Sequence, residues 1–191
     1  MKGRESGMPE EAYWNSFFDA EGVLDSFLNP ETSNAMVVEF GSGYGTFTLP
    51  IAMRVTGTVT ALDIEPVLVT LLDEKAKAAG HVNIKTQERD FMVAGSGLDH
   101  ATQDYALIFN LLHIESPERL LAEAYRILKP GGRLCVMHWR CDIDTPRGPP
   151  LEIRPTPERS AAWIRDAGFE SLDNISLAGY APYHYGLIAI K

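Results

Sequence analysis

Cysteine is scarce in this chain, with Cys135 and Cys141 the only two in 191 residues. They stand six residues apart, without a C-x-x-C pair or His/Cys ligand spacing around them. That argues against a zinc site and a secreted disulfide framework, implies no metal, and suits a reducing, cytoplasmic setting. Long apolar runs are missing as well. No stretch approaches the ~20 apolar residues that span a bilayer, and the opening residues lack the apolar segment of a signal peptide, so no membrane association is expected. Positive charge is in short supply: 17 Lys and Arg face 26 Asp and Glu, for a net charge of -9. Without a basic run to track phosphates, nucleic acid is not an expected partner.

What is present is an ordinary globular composition, 45% hydrophobic and 23% charged. One domain over residues 1–191 is expected, since a chain of this size buries roughly 70% of its unfolded surface without disulfides. Residues 1–9, rich in Gly, Ser and charge, are expected to form a flexible tail.

Between residues 10 and 28, Tyr13, Trp14, Phe17, Phe18, Val23, Leu24 and Phe27 recur at three- and four-residue steps, which predicts an amphipathic helix interrupted at Gly22 and stopped by Asn29-Pro30. Short apolar, β-branched segments predict strands over 35–40, 58–63, 82–86, 105–109 and 133–139. Helical patterns fall between them, with a helix over 66–79 that has Pro66 in its first turn and Gly80 behind it, and another over 117–128. Residues 157–167 are a further helix, and 169–177 and 183–190 close the chain as a hairpin near Gly179. This alternation implies βαβ crossovers: an α/β fold with a mainly parallel sheet covered on both faces. The Pro-, Arg- and Asp-rich segment 141–156 is an excursion off the sheet, of the kind that carries function.

The turn Glu39-Phe40-Gly41-Ser42-Gly43-Tyr44-Gly45 joins a strand to a helix. Glycines there let the backbone approach a ligand without a Cβ penalty. The spacing is G-x-G-x-G; the third glycine of a dinucleotide fingerprint falls on Thr46. Asp63 ends the next strand, where a carboxylate can accept from two ribose hydroxyls; its alternative use is to cap the following helix.

Four blocks together resemble class I S-adenosylmethionine-dependent methyltransferases, over nearly everything from about Val37 to the carboxyl end. They are Val38-Glu39-Phe40-Gly41-Ser42-Gly43-Tyr44-Gly45, Leu62-Asp63, Arg89-Asp90-Phe91, and Phe109-Asn110-Leu111-Leu112-His113 with Leu128-Lys129-Pro130-Gly131-Gly132-Arg133-Leu134. The resemblance implies a Rossmann-like seven-stranded sheet whose last strand is antiparallel, with S-adenosylmethionine as cofactor and S-adenosylhomocysteine as its product. It places Gly41, Ser42, Gly43, Gly45 and Glu39 around the methionine part, and Asp63 with Ile64 at the ribose. Asp90 falls at the adenine amine, Phe91 beside the ring and Asn110 by the sulfonium. Residues 10–34 are then a helical lid, with plain core packing of the Tyr13, Trp14, Phe17 stripe as the alternative.

On the acceptor side, His113 stands just past the fourth strand, where open α/β sheets place their ligand crevice, as a base for the acceptor or as a packed histidine. His138 and Arg140 alternate with Trp139 and Cys141, and Trp139 is either core or pocket wall. Arg140 and Arg147 are candidate contacts to an anionic substrate; alternatively they pair with Asp142, Asp144 and Glu152 to pin the loop, with Arg154. Tyr183 and His184 lie near the closing hairpin. The chain departs from the resembled amino-directed base methyltransferases, whose Asp/Asn-Pro-Pro-Tyr/Phe element is replaced here by Asn110-Leu111-Leu112-His113. It also lacks the nucleophilic cysteine of the cytosine C5 type, the cysteine set of the arsenite type and the magnesium carboxylates of the catechol type. The expected activity is methyl transfer to a small-molecule O-, N- or S-nucleophile, including an anionic one, with a protein substrate still open. The alternatives are a non-catalytic S-adenosylmethionine-binding partner and an NAD-dependent oxidoreductase.

Overall fold

The computed structural model describes residues 7–29 and 32–191. The first six residues of the expected tail, and Pro30 as a helix stop, lie outside the described residues. Seven strands form one sheet in the order β3-β2-β1-β4-β5-β7-β6. Strands β1 (Val37–Phe40), β2 (Val59–Asp63), β3 (Ile84–Glu88), β4 (Gln103–Phe109) and β5 (Leu128–Trp139) run parallel. β7 (His184–Ile190) pairs antiparallel with both β5 and β6 (Leu172–Ile175). This is the expected α/β, Rossmann-like sheet with an antiparallel last strand.

The helices are α1 (Glu11–Asn15), α2 (Ala20–Phe27), α3 (Thr48–Arg54), α4 (Pro66–Ala78), α5 (Phe91–Ala94), α6 (Pro117–Ile127) and α7 (Pro157–Asp166), with a 3-10 turn at Leu151–Ile153. The period-two alternation of the strands feeds two apolar layers. From β4, Tyr105, Leu107 and Phe109 join Val23, Leu24, Phe27 and Ile51 of α2 and α3 on one face. Ala106 and Ile108 join Leu120, Leu121, Ala124 and Ile164 of α6 and α7 on the other.

The aminoterminal helix breaks at a place other than the one expected. The chain leaves α1 after Asn15 and restarts at Ala20, where the Asp19 carboxylate accepts from the backbone N–H of Gly22. Gly22 sits inside α2 because the ring of Tyr180 occupies the space of a side chain, 2.0 Å from where its Cβ would stand. β3 begins two residues later than the sequence suggests. Val82, though β-branched, is 99% exposed, and Asn83 fixes the turn by donating to the carbonyls of Ala52, Val55 and Gly57. β5 starts early at Leu128, with a register shift opposite Gln103 and Tyr105. β6 is shorter than its apolar flanks imply, since Phe169 and Leu177 pack into the core from outside the strand. The short α5 went unforeseen; Asp90 caps it through the N–H groups of Met92 and Val93.

Candidate active site

The carboxyl ends of β1, β2 and β4 open into a cavity of about 580 Å³. Parallel strands with helices on both faces leave their crevice at this edge. Glu39, Gly41, Ser42, Gly43, Asp63, Ile64, Asp90, Phe91, Asn110 and His113 all line it. Gly45 lies behind the wall: its φ of +81° is left-handed, and a Cβ there would stand 2.3 Å from Leu72 Cδ1, so glycine lets the turn pack on α4.

Asp63 ties this turn together. Its Oδ2 accepts from the N–H of Gly43 at 2.8 Å and its Oδ1 from the N–H of Glu65 at 3.0 Å. Each carboxylate oxygen has a further lone pair to offer. Burial raises the pKa of Asp63, opposed by these backbone bonds. Glu39 is wholly enclosed beneath the turn and accepts from the hydroxyl of Thr48. Burial pushes its carboxyl up to about 8, with Thr48 opposing and the charge of Asp63 adding to the rise.

Asn110 holds a strained backbone, with φ +59°, at the end of β4. Its N–H donates to the carbonyl of Met137 at 2.7 Å, while both atoms of its buried side-chain amide lack a protein partner. The buried hydroxyl of Ser42 is in the same condition. Native interiors seldom leave such groups unpaired, so three unpaired polar atoms on two residues that line one crevice mark a place for a polar ligand.

The opposite wall is aromatic and proline-rich, with Met8, Pro9 and Trp14 from the amino-terminal segment and Trp139, Pro149, Pro150 and Ile153 from the other side. Trp139 is both core and wall: it is 2% exposed, meets Phe17 edge to face at 5.4 Å and lies tilted against His184 at 4.1 Å, centroid to centroid. Of the expected lid, α1 contributes Trp14, whereas α2 is built into the core because Val23, Leu24 and Phe27 are fully buried.

The arginines divide. Arg140 stays outside the cavity and forks onto Asp142 with bonds of 3.0 and 2.7 Å. Arg147 does line the cavity, and its guanidinium donates to the carbonyl of Gly7, linking loop and amino-terminal segment. Arg154 pins the excursion, donating to the carbonyls of Pro149, Arg140 and Arg147 and to the hydroxyl of Thr145.

Two residues central to this geometry had no assigned role in the sequence reading. Thr48, a polar residue on the buried side of the helix after the glycine turn, was findable by that pattern. The pairing of His113 with His138, 3.2 Å apart, was not, because it joins the ends of two strands.

A profile described as "Methyltransferase domain" matches residues 37–132. A ribosomal protein L11 methyltransferase of Geobacillus thermodenitrificans is 29% identical over 58% of this chain and 33% of its own length. A ubiquinone/menaquinone biosynthesis C-methyltransferase of Citrobacter koseri is 27% identical over 78% of this chain and 72% of its own. The crystal structure of a SAM-dependent methyltransferase from Aquifex aeolicus superposes with a TM-score of 0.80 at 23% identity, covering 95% of this chain and 93% of that one. The chain spans about a third to under half of the length of the first curated relatives it matches. With half of its residues inside the matched profile, and with the fold and glycine turn described above, the chain belongs to the methyltransferase domain family.

Proposed function

We propose that the protein transfers a methyl group from S-adenosylmethionine to a small-molecule nucleophile. The observation that carries this reading is the convergence of the unpartnered Asn110 amide and Ser42 hydroxyl with the Glu39 and Asp63 carboxyls on one cavity. These donors fit the cofactor. Glu39 and the Gly41-Ser42-Gly43 backbone would hold its amino and carboxylate groups, Asp63 with Ile64 its ribose, Asp90 and Phe91 its adenine, and Asn110 the region of its sulfonium. When bound, S-adenosylmethionine supplies an electrophilic methyl on a positively charged sulfur.

The task left to the chain is positioning, since an in-line nucleophile held at near-attack distance gains most of what orientation can give, on the order of 7–11 kcal/mol in the best cases. Trp14, Trp139, Pro149, Pro150 and Ile153 make the remaining wall apolar and exclude water from the acceptor. In this reading His113 is the base that touches the acceptor and, of Arg140 and Arg147, it is Arg147 on the cavity wall that would meet an anionic group. Arg140, held by Asp142 outside the cavity, has no such part in the proposal.

A recessed cavity of about 580 Å³ and a net charge of -9 favour a small molecule over nucleic acid, and the scarcity of cysteine favours a cytoplasmic setting. The name of the quinone relative adds carbon to oxygen, nitrogen and sulfur as acceptor atoms. One test is to incubate the protein with methyl-labelled S-adenosylmethionine and panels of phenols, carboxylic acids, amines and thiols. Label transfer to one of these classes, lost in Asp63→Ala, is the expected result; transfer to none of them, with the cofactor unbound, would overturn the proposal.

A further inference from the structure

Hydrogen bonds at the cavity wall fix where two histidine protons sit. Nδ1 of His138 lies 3.1 Å from the carbonyl oxygen of Trp139, and a carbonyl only accepts, so Nδ1 bears the hydrogen of this ring. Burial above all, and then the repulsion that a protonated His113 and Arg154 would exert, pushes His138 down to about 3, which keeps the ring neutral and its Nε2 bare. That Nε2 stands 3.2 Å from Nδ1 of His113, which must therefore be the donor. His113 is neutral for the same reasons, pushed down to about 4 by burial and by Arg154. Its lone pair is then at Nε2, on the ring edge away from His138, in a residue that lines the cavity. The other titratable groups near the pair are Arg154, His184, which faces His138 from β7, and Tyr185, whose ring centre lies 6.0 Å from that of His138. Among the described residues no carboxylate hydrogen-bonds either ring.

We infer that His138 is a positioning residue: by accepting from Nδ1 of His113, it holds His113 in the tautomer that presents a bare Nε2 to the methyl acceptor. The chemistry rests on the methyl-transfer reading, while the tautomer does not. In the step, a lone pair of the acceptor atom forms the bond to the methyl carbon and the carbon–sulfur pair stays on sulfur. The proton of the acceptor passes to Nε2 of His113. The imidazolium so formed keeps its Nδ1–H on His138 and returns its extra proton to water as product leaves. Such a base is matched to a hydroxyl, whose proton methylation renders strongly acidic. It is not matched to an amine, which after methylation stays near the lysine range of about 10.4.

The tautomer can be read without turnover, from long-range proton–nitrogen spectra of the ¹⁵N-labelled protein at neutral pH. The expected wild-type result is hydrogen on Nδ1 and a bare Nε2 for both rings. His138→Phe keeps an aromatic ring but offers no acceptor, so the His113 hydrogen should move to Nε2. Carbethoxylation of His113 by diethyl pyrocarbonate, located by mass spectrometry, should then slow about tenfold, the cost of a buried unpaired N–H. His138→Gln supplies an amide oxygen and should restore both readouts. A wild-type His113 with its hydrogen on Nε2, or an unchanged tautomer and reactivity in His138→Phe, would overturn the assignment. If the Phe variant does not fold, the wild-type spectrum and the Gln variant decide. S-adenosylmethionine titrated into the same wild-type sample separates the two claims: no binding with the expected tautomer sinks methyl transfer alone, and binding with the other tautomer sinks the positioning role alone.

Discussion

The carboxylate of Asp63 accepts a 2.8 Å hydrogen bond from the backbone N–H of Gly43, so the end of β2 and the glycine turn after β1 are held as one unit. The same carboxylate has lone pairs left for a ligand. Asp63→Ala removes both functions. Affinity for S-adenosylhomocysteine should fall by about 1.5–3 kcal/mol, the range for a charge-assisted hydrogen bond, as measured by calorimetry. Unchanged affinity would remove Asp63 from the cofactor site.

Glu39 makes cofactor binding a proton-linked event. With its carboxyl pushed up to about 8, Glu39 is protonated at neutral pH, and a cationic ligand beside it favours the carboxylate. Binding of S-adenosylmethionine at neutral pH should release up to one proton, and affinity should rise with pH until about 8, where the free protein loses that proton unaided. Calorimetry in buffers of different ionisation enthalpy measures the proton count. Glu39→Gln should abolish the release.

Buried histidines make the fold acid-sensitive. His113, His138 and His184 are pushed down to about 4, 3 and 3 by burial. Their unfolded forms take up protons near 6.5, so the stability each contributes is complete above that value and is lost as pH falls toward the folded values. Glu39 acts in the opposite sense, its contribution declining as pH rises from 4.5 to about 8. The histidine share is therefore read by difference. Relative to His184→Leu, the wild type should lose about 1–2 kcal/mol more stability between pH 7 and 5, measured by denaturant unfolding. Parallel pH profiles for the two would contradict this.

Arg154 holds the segment 141–156 through three carbonyl oxygens and the Thr145 hydroxyl, with its guanidinium 5.9 Å from the centre of the Trp139 ring. Arg154→Lys keeps the charge and loses the fork. Limited proteolysis within this segment should accelerate and stability should drop by about 2–3 kcal/mol, the loss of more than one charge-assisted bond. Arg140→Ala breaks only an exposed pair and should change stability by about 0–1 kcal/mol.

The sheet was legible because β1, β2 and β4 are short and apolar, with glycine or proline close to β1 and β2, and because the helices carry clear apolar stripes. The site was legible where chemistry is local: Glu39, Gly41, Gly43 and Asp63 sit within or beside one turn. What escaped depends on contacts distant in sequence. Gly22 looks like a helix breaker until Tyr180, far along the chain, is seen against it. Val82 has a strand former's side chain, yet Asn83 binds the preceding carbonyls and delays the strand. Arg140 and Arg147 are equivalent in sequence, and only the folded loop sends one to Asp142 and the other to the cavity.

The central claim is that this crevice binds an adenosyl sulfonium cofactor. Calorimetric titration of the wild-type protein with S-adenosylmethionine, S-adenosylhomocysteine and NAD, in parallel with Asp63→Ala, tests it most directly. The account predicts saturable binding of both adenosyl ligands, weakened in the variant, and none of NAD. Binding of NAD alone, or of no ligand, would contradict it.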